Sequence, residues 1–262
     1  MLQVVKTPTS NLLFDLVQRS EKELLFCVPF IKKEIVDVVL KKLQPDAVLG
    51  LITYSNIGRF ANGSLDIEAL RILLEKGFKI FNYQNLHAKI YLFDNKKVLI
   101  TSANLTNNAL YKNYEYGVLI DNDSKIIDQI YSDFVNMMDS VLCGEITLKT
   151  LNDIEKNIKQ YQKKYYVQVD SDEDDILICS SALNLTKNLA PWQKEVFLYI
   201  NQFSDNVFYL DDLYKEEKTF QQNHPTNKHI KEKIRQVLQQ LRDLGYVKFV
   251  SPGIYKKLWK IS

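Results

Sequence analysis

The stretch NLHAKIYLFDNKKVLITSANLT, residues 85–106, holds one of only three histidines in the chain, a lysine two positions on, and a serine and an asparagine beyond a short polar break. Strand side chains alternate faces, so His87 and Lys89 at i and i+2 would project from the same side. Antiparallel pairing through a turn near Asn95 would set residues 101–104 opposite 87–89, and Ser102 and Asn104 could then converge on the same place. Such a set suits an anionic, oxygen-rich group. Imidazole serves as nucleophile or, protonated, as general acid near neutral pH. Lysine and asparagine supply donors for charge that builds on phosphoryl oxygens. Together they point to phosphoryl transfer. The sequence offers no carboxylate cluster or Cys/His ligand set, so the expectation is a reaction with no metal and no cofactor.

The elements that must position these groups follow from periodicity. Strand-like and helical runs alternate through ELLFCVPF, IVDVVLKKL, AVLGLITY, LDIEALRILLEKG and KIFNY. That pattern predicts an α/β domain, a sheet covered by helices. AKIYLF and KVLITS flank DNK, which reads as a hairpin turn with Asp94 closing the first strand. YGVLI adds a further strand, and residues 125–166 read as helical. VDSDEDD then places five acidic residues in a weakly patterned stretch that reads as an acidic linker or connecting arm, residues 167–189. Three helical patterns and a hairpin turning at Ser251-Pro252-Gly253 follow, the plan of a winged helix-turn-helix. The expected domains are 1–166, an α/β domain, and 190–262, a winged helix.

Length and composition bound the rest. A chain of 262 residues with 46% hydrophobic and 25% charged residues is globular, and a net charge of +2 selects no partner. The N-terminus lacks a basic segment leading into an apolar run, and LLFCVPFI, the longest apolar run, has eight residues. The expectation is a cytoplasmic protein with no membrane partner. Cys27, Cys143 and Cys179 are too widely spaced for a disulfide framework or a zinc site.

Charge is concentrated at the C-terminal end. Residues 224–262 carry nine Lys/Arg against two acids. On the last helix Ile230, Ile234, Val237, Leu238 and Leu241 share an apolar face at ~100° per residue. Opposite lie Lys228, Glu232, Arg235, Gln236 and Gln239, with Asn227 and Lys231 near the helix start. These are candidates for base and phosphate contacts in a DNA major groove. Ser251, Gly253 and Lys256 in the wing could add contacts to the backbone of double-stranded DNA.

The full string His87-x-Lys89-x4-Asp94-x6-Thr101-Ser102-x-Asn104-x-Thr106, followed by Asn113-x-Glu115, resembles the signature of the phospholipase D superfamily: H-x-K-x4-D, then G-S-x-N and, in nuclease members, N-x-E. One departure is Thr101, where the family usually has glycine. The resemblance implies that His87 is a nucleophile forming a phosphohistidine and that Lys89, Ser102 and Asn104 hold the phosphate. It implies that Glu115 hydrogen-bonds and orients the histidine, while Asp94 is structural, fixing the turn. The family mechanism uses two histidines, and this chain has one motif, which implies a homodimer with a composite site. KIRQVLQQLRDLGYVKFVSPGIY also resembles the C-terminal winged-helix module of adenine-methylation-dependent restriction enzymes. Together these imply a restriction endonuclease acting on double-stranded DNA that could be methylated. The rival expectations are a DNA-binding regulator with an inactive nuclease domain and a lipid-acting phosphodiesterase. The acidic run suggests in addition a DNA mimic that blocks the basic surface.

Overall fold

The computed structural model describes residues 1–159, 165–169 and 175–261. The chain divides into two compact units, Met1–Ser55 with Gly63–Leu148 and Asn56–Asn62 with Lys149–Ser262. Runs rich in β-branched residues become strands and amphipathic runs become helices. In chain order the first part forms β1 (Leu2–Lys6), α1 (Ser10–Arg19), β2 (Glu23–Cys27), α2 (Lys33–Leu40), β3 (Val48–Thr53), α3 (Ile57–Ala61), α4 (Ile67–Glu75) and β4 (Lys79–Tyr83). After these come β5 (Ile90–Phe93), β6 (Lys97–Thr101), a π-helical turn (Asn108–Lys112), β7 (Tyr116–Asp121), α5 (Ser124–Met138) and β8 (Cys143–Ile146).

The eight strands of the first unit form one sheet in the order β1-β7-β6-β5-β2-β3-β4-β8. The three adjacent strands β2, β3 and β4 are parallel. The remaining pairings are antiparallel, so hairpins can build the half of the sheet that carries residues 90–121. Alternation along the strands splits the core into two layers. On one face Phe26 meets Tyr91 edge-on at 5.3 Å between ring centroids. On the other, Leu25, Cys27, Ile52, Leu92, Val98 and Ile120 pack against Ile127 and Phe134 of α5.

The second unit contains α3 and then α6 (Leu148–Lys159, from its second residue), β9 (Tyr165–Val169), β10 (Asp175–Cys179), α7 (Ala182–Thr186), α8 (Pro191–Ile200), β11 (Val207–Tyr209), α9 (Leu210–Lys215) and α10 (Glu217–Asn223). It ends with α11 (Ile230–Asp243), β12 (Val247–Ser251), β13 (Ile254–Lys257) and β14 (Trp259–Ile261). Helices α8 to α11 with the small sheet β11-β13-β12 make the winged helix. All five apolar-face residues of α11 are buried, as the helical period requires. Behind it Phe197 stacks on Trp259 at 4.1 Å.

Several expectations need correction. The span 125–166 is not one helical run, because β8 pairs with β4 at the sheet edge. The expected linker is partly structured: β10 pairs with β9 and with β14, and Ile176, Leu177, Ile178 and Cys179 are buried. Four consecutive apolar residues find a sheet in which to bury, which an acidic flank does not prevent. The acidic residues 170–174 lie outside the described residues. Among the described residues no helix is long and apolar enough to cross a membrane.

Candidate active site and nucleic-acid interface

The β5–β6 hairpin builds the site. Asp94 and Asn95 both take positive φ, 54° and 51°, and Lys96 N–H donates to the Phe93 carbonyl at 3.0 Å. Asp and Asn tolerate that region better than other non-glycine residues, and the tight turn fixes the register. Ile90 pairs with Ile100, and Thr101 N–H donates to the Lys89 carbonyl at 3.1 Å. Residues 101–104 therefore face 87–89. His87 and Lys89 stand in the lead-in to β5 rather than within it, because the chain turns at Asn85, φ 63°, and becomes regular only at Ile90.

His87 is exposed while Lys89 is only 7% exposed. The Lys89 Nζ lies 3.4 Å from each ring nitrogen of His87 and donates to that residue's carbonyl at 2.6 Å. A cation is thus held beside an accessible imidazole. Beneath it, burial pushes the Cys27 thiol up to about 12, with Lys89 pulling the other way. Burial also drives the Tyr91 hydroxyl well above its ordinary value, helped by Cys27 and Glu115. Tyr91 therefore keeps its proton and donates it to the Ala103 carbonyl at 2.8 Å, supporting the Ser102–Asn104 segment from within the core. On the far side of that segment Lys32 N–H donates to Leu105 O at 2.9 Å. The Asn104 Oδ1 is buried and accepts no hydrogen bond from the described residues.

Asp94 faces away from this chemistry. Its carboxylate accepts the backbone N–H groups of Glu21, Lys22 and Glu23 at 3.1, 2.8 and 3.0 Å. Burial opposes its charge, but these three donors and Lys96 hold the carboxyl below the usual range. It clasps the entry to β2 against the hairpin turn.

Glu115 departs from its expected contact. The carboxylate is buried and accepts the Ser102 hydroxyl on one oxygen and the Asn113 amide at 3.2 Å on the other, and it makes no hydrogen bond to His87. The reason is register: Ser102 and Tyr116 are bonded across the strands, which brings the serine hydroxyl under the preceding glutamate. Sequence reasoning missed Thr7, whose hydroxyl accepts the Glu115 N–H at 2.6 Å. No local spacing could reveal a partner 108 residues away.

The candidate nucleic-acid residues sit in the winged helix. Lys231, Glu232, Arg235, Gln236 and Gln239 are exposed on α11. The Lys231 Nζ lies 5.4 Å and the Arg235 guanidinium 5.9 Å from the ring centre of Tyr214, so one aromatic steadies two cations. Lys231 pairs with Glu217 at 3.4 Å and Arg235 with Glu232 at 3.9 Å. Asn227 and Lys228 precede the helix, and Asn227 accepts the His229 N–H at 2.8 Å. The wing turns at Gly253, φ 77°, beside the half-buried Ser251. Lys256 is a correction: at 7% exposure it cannot offer its charge to a phosphate. It lies in the middle strand of the wing sheet, with Val207 and Lys248 as its register partners on the two flanking strands.

Residues 13–138 match the family model described as "Cardiolipin synthase, PLD-like domain", and residues 189–257 match the "Dam-replacing HTH domain". Among solved structures the chain is similar to Nuc, a phospholipase D family member from Salmonella typhimurium. They share 18% identity, with 56% of this chain and 97% of that chain covered and a TM-score of 0.46. NucT from Helicobacter pylori shares 16% identity over 56% of this chain and 99% of its own, with a TM-score of 0.40. Phosphatidylserine synthase of Haemophilus influenzae shares 16% over 62% of this chain and 45% of its own, with a TM-score of 0.48. The chain thus joins a phospholipase D-like domain to a C-terminal helix-turn-helix domain of the Dam-replacing type.

Proposed function

We propose that the protein is a DNA endonuclease of the phospholipase D type that works without a metal. The observation that carries this reading is the hairpin that sets residues 101–104 opposite 87–89, with Lys89 against the exposed His87, in a chain that also has a helix-turn-helix domain. The His87 imidazole attacks the phosphorus of a backbone diester and forms a P–N bond as the P–O bond to the leaving strand breaks. The leaving oxygen takes a proton from His87 of a second copy. Water, deprotonated by that second imidazole, then attacks the phosphohistidine and restores the free histidine. Lys89 neutralises charge on the phosphoryl oxygens and the Asn104 amide donates to them, with each donor worth ~10²–10³ in rate. A single motif per chain supports a homodimer in which two copies complete one site.

The winged helix supports a restriction enzyme, with α11 reading a sequence and methylated sites among the candidate targets. Asp94 acts in this scheme as a structural residue.

The test is cleavage of methylated and unmethylated plasmid DNA in EDTA by the wild type and by His87→Ala. Cutting that the substitution abolishes is the expected result. Tight binding without cutting would replace this reading with a regulator, and hydrolysis of phospholipid vesicles in place of DNA would replace it with a lipid phosphodiesterase.

A further inference from the structure

The dipeptide Glu115–Tyr116 is gripped from two sides by threonine hydroxyls. Just past the end of β1, Thr7 N–H donates to the Glu115 carbonyl at 3.2 Å, and its Oγ1 accepts the Glu115 N–H at 2.6 Å and lies 3.4 Å from the same carbonyl. On β6, the Thr101 Oγ1 donates to the Tyr116 carbonyl at 3.3 Å and accepts the Ala103 N–H at 3.2 Å. Between them Ser102 bonds Tyr116 through both backbone and hydroxyl, at 3.0 and 3.1 Å. The Glu115 carboxylate and the Ser102 hydroxyl, which bond each other, are therefore held by a threonine on each side.

Thr101 occupies the position at which the resembled family usually has glycine, and its side chain needs space. Gly117 supplies it from the facing strand, since Thr101 and Gly117 are register partners. A Cβ at Gly117 would stand 2.4 Å from the Ile100 carbonyl oxygen and 2.8 Å from both Cα and Cβ of Thr101. The small residue here is at 117, and the Thr101 hydroxyl adds two hydrogen bonds that glycine could not make.

We infer that Thr7 and Thr101 are positioning residues that set the Glu115 carboxylate and the Ser102–Asn104 segment for the reaction; the inference rests on the phosphodiesterase reading above. Neither hydroxyl touches the reacting atoms. Each fixes backbone whose displacement would move groups that must meet a phosphoryl oxygen, and such outer partners typically matter about ten- to a hundredfold.

The experiment uses bis(p-nitrophenyl) phosphate, a diester that needs no recognition sequence, with the full-length wild type and with Thr7→Ala, Thr7→Ser, Thr101→Val and Thr101→Ser. Folding is checked by circular dichroism at the assay temperature. Thr7→Ala and Thr101→Val are expected to lower kcat about tenfold or more with KM little changed, and each serine variant to recover to within about twofold of wild type. A loss that valine or alanine causes only by unfolding would leave kcat per folded molecule unchanged. Folded Thr7→Ala and Thr101→Val with undiminished kcat overturn the brace alone. A wild type that hydrolyses neither this diester nor DNA overturns the phosphodiesterase reading and the brace with it.

Discussion

Lys89 holds its ammonium 3.4 Å from both ring nitrogens of His87 while bonded to that residue's own carbonyl at 2.6 Å. The lysine is thus folded back against the residue two positions before it, and its stem is buried. Such an ammonium is positioned before any substrate arrives, so little reorganisation is left for the reaction. Lys89→Met is expected to lower kcat ~10²–10³-fold with the fold retained. Lys89→Arg should not restore it, because a planar fork cannot occupy the same point. Single-turnover cleavage with duplex binding measured in parallel checks this: equal losses in both would place Lys89 in binding rather than chemistry.

Asp94 serves stability and carries a definite pH signature. Its folded carboxyl sits below the usual range, with burial opposed by the backbone donors of Glu23, Lys22 and Glu21. The unfolded chain binds the proton more tightly, so stability rises with pH between the two values. The contribution is full above the unfolded value near ~4 and is lost as pH falls through the folded value. Asp94→Asn keeps a side chain that tolerates φ 54° but gives up the charge. It should cost about 1–2 kcal/mol at neutral pH and progressively less in acid. Urea midpoints across that range check it, and a difference independent of pH would remove the charge from the explanation.

The hairpin and its register were legible because periodicity, turn chemistry and motif spacing agree locally: Asp94-Asn95 fixes the turn and the turn fixes 101–104 opposite 87–89. What escaped is nonlocal. Strand β8 is four residues long and finds its partners 60 to 66 positions upstream, at Ile80–Tyr83. Helix α3 belongs to the second unit because Gly245, at φ +80°, lets the Ile57 N–H reach its carbonyl at 3.2 Å; a Cβ there would stand 2.5 Å from the Ile57 nitrogen. Nothing in either segment announces the other. The contact of Glu115 with Ser102 instead of His87 was likewise invisible, since it depends on cross-strand register and on Thr7.

Burial orders the reactivity of the thiols. Cys27 is wholly buried, and its thiol is pushed up to about 12 by desolvation against the pull of Lys89. Near neutral pH the raised pKa keeps Cys27 almost wholly in the thiol form, and it is the thiolate that attacks an alkylating reagent. Cys179 is also wholly buried, whereas Cys143 is partly accessible. Iodoacetamide on the native protein should therefore modify Cys143 first, with the other two appearing only under denaturant, as read by peptide mass spectrometry. Early labelling of Cys27 would mean that the sheet beneath the site opens.

The winged helix separates exposed from buried cations, and salt dependence can tell them apart. Arg235 and Lys231 are exposed on α11, whereas Lys256 is buried in the wing. Each phosphate neutralised contributes about 0.9 to the slope of log K against log salt. Arg235→Ala and Lys231→Ala should each reduce the slope for duplex binding by roughly that amount if the side chain meets a phosphate. If either meets a base instead, its loss should fall on one sequence and spare the slope. Lys256→Ala should leave the slope unchanged and lower the melting temperature, because its stem is part of the packed sheet. Binding isotherms at four salt concentrations, with thermal denaturation of the same samples, decide it. A reduced slope for Lys256→Ala with unchanged melting would mean that the wing rearranges to present that lysine to DNA.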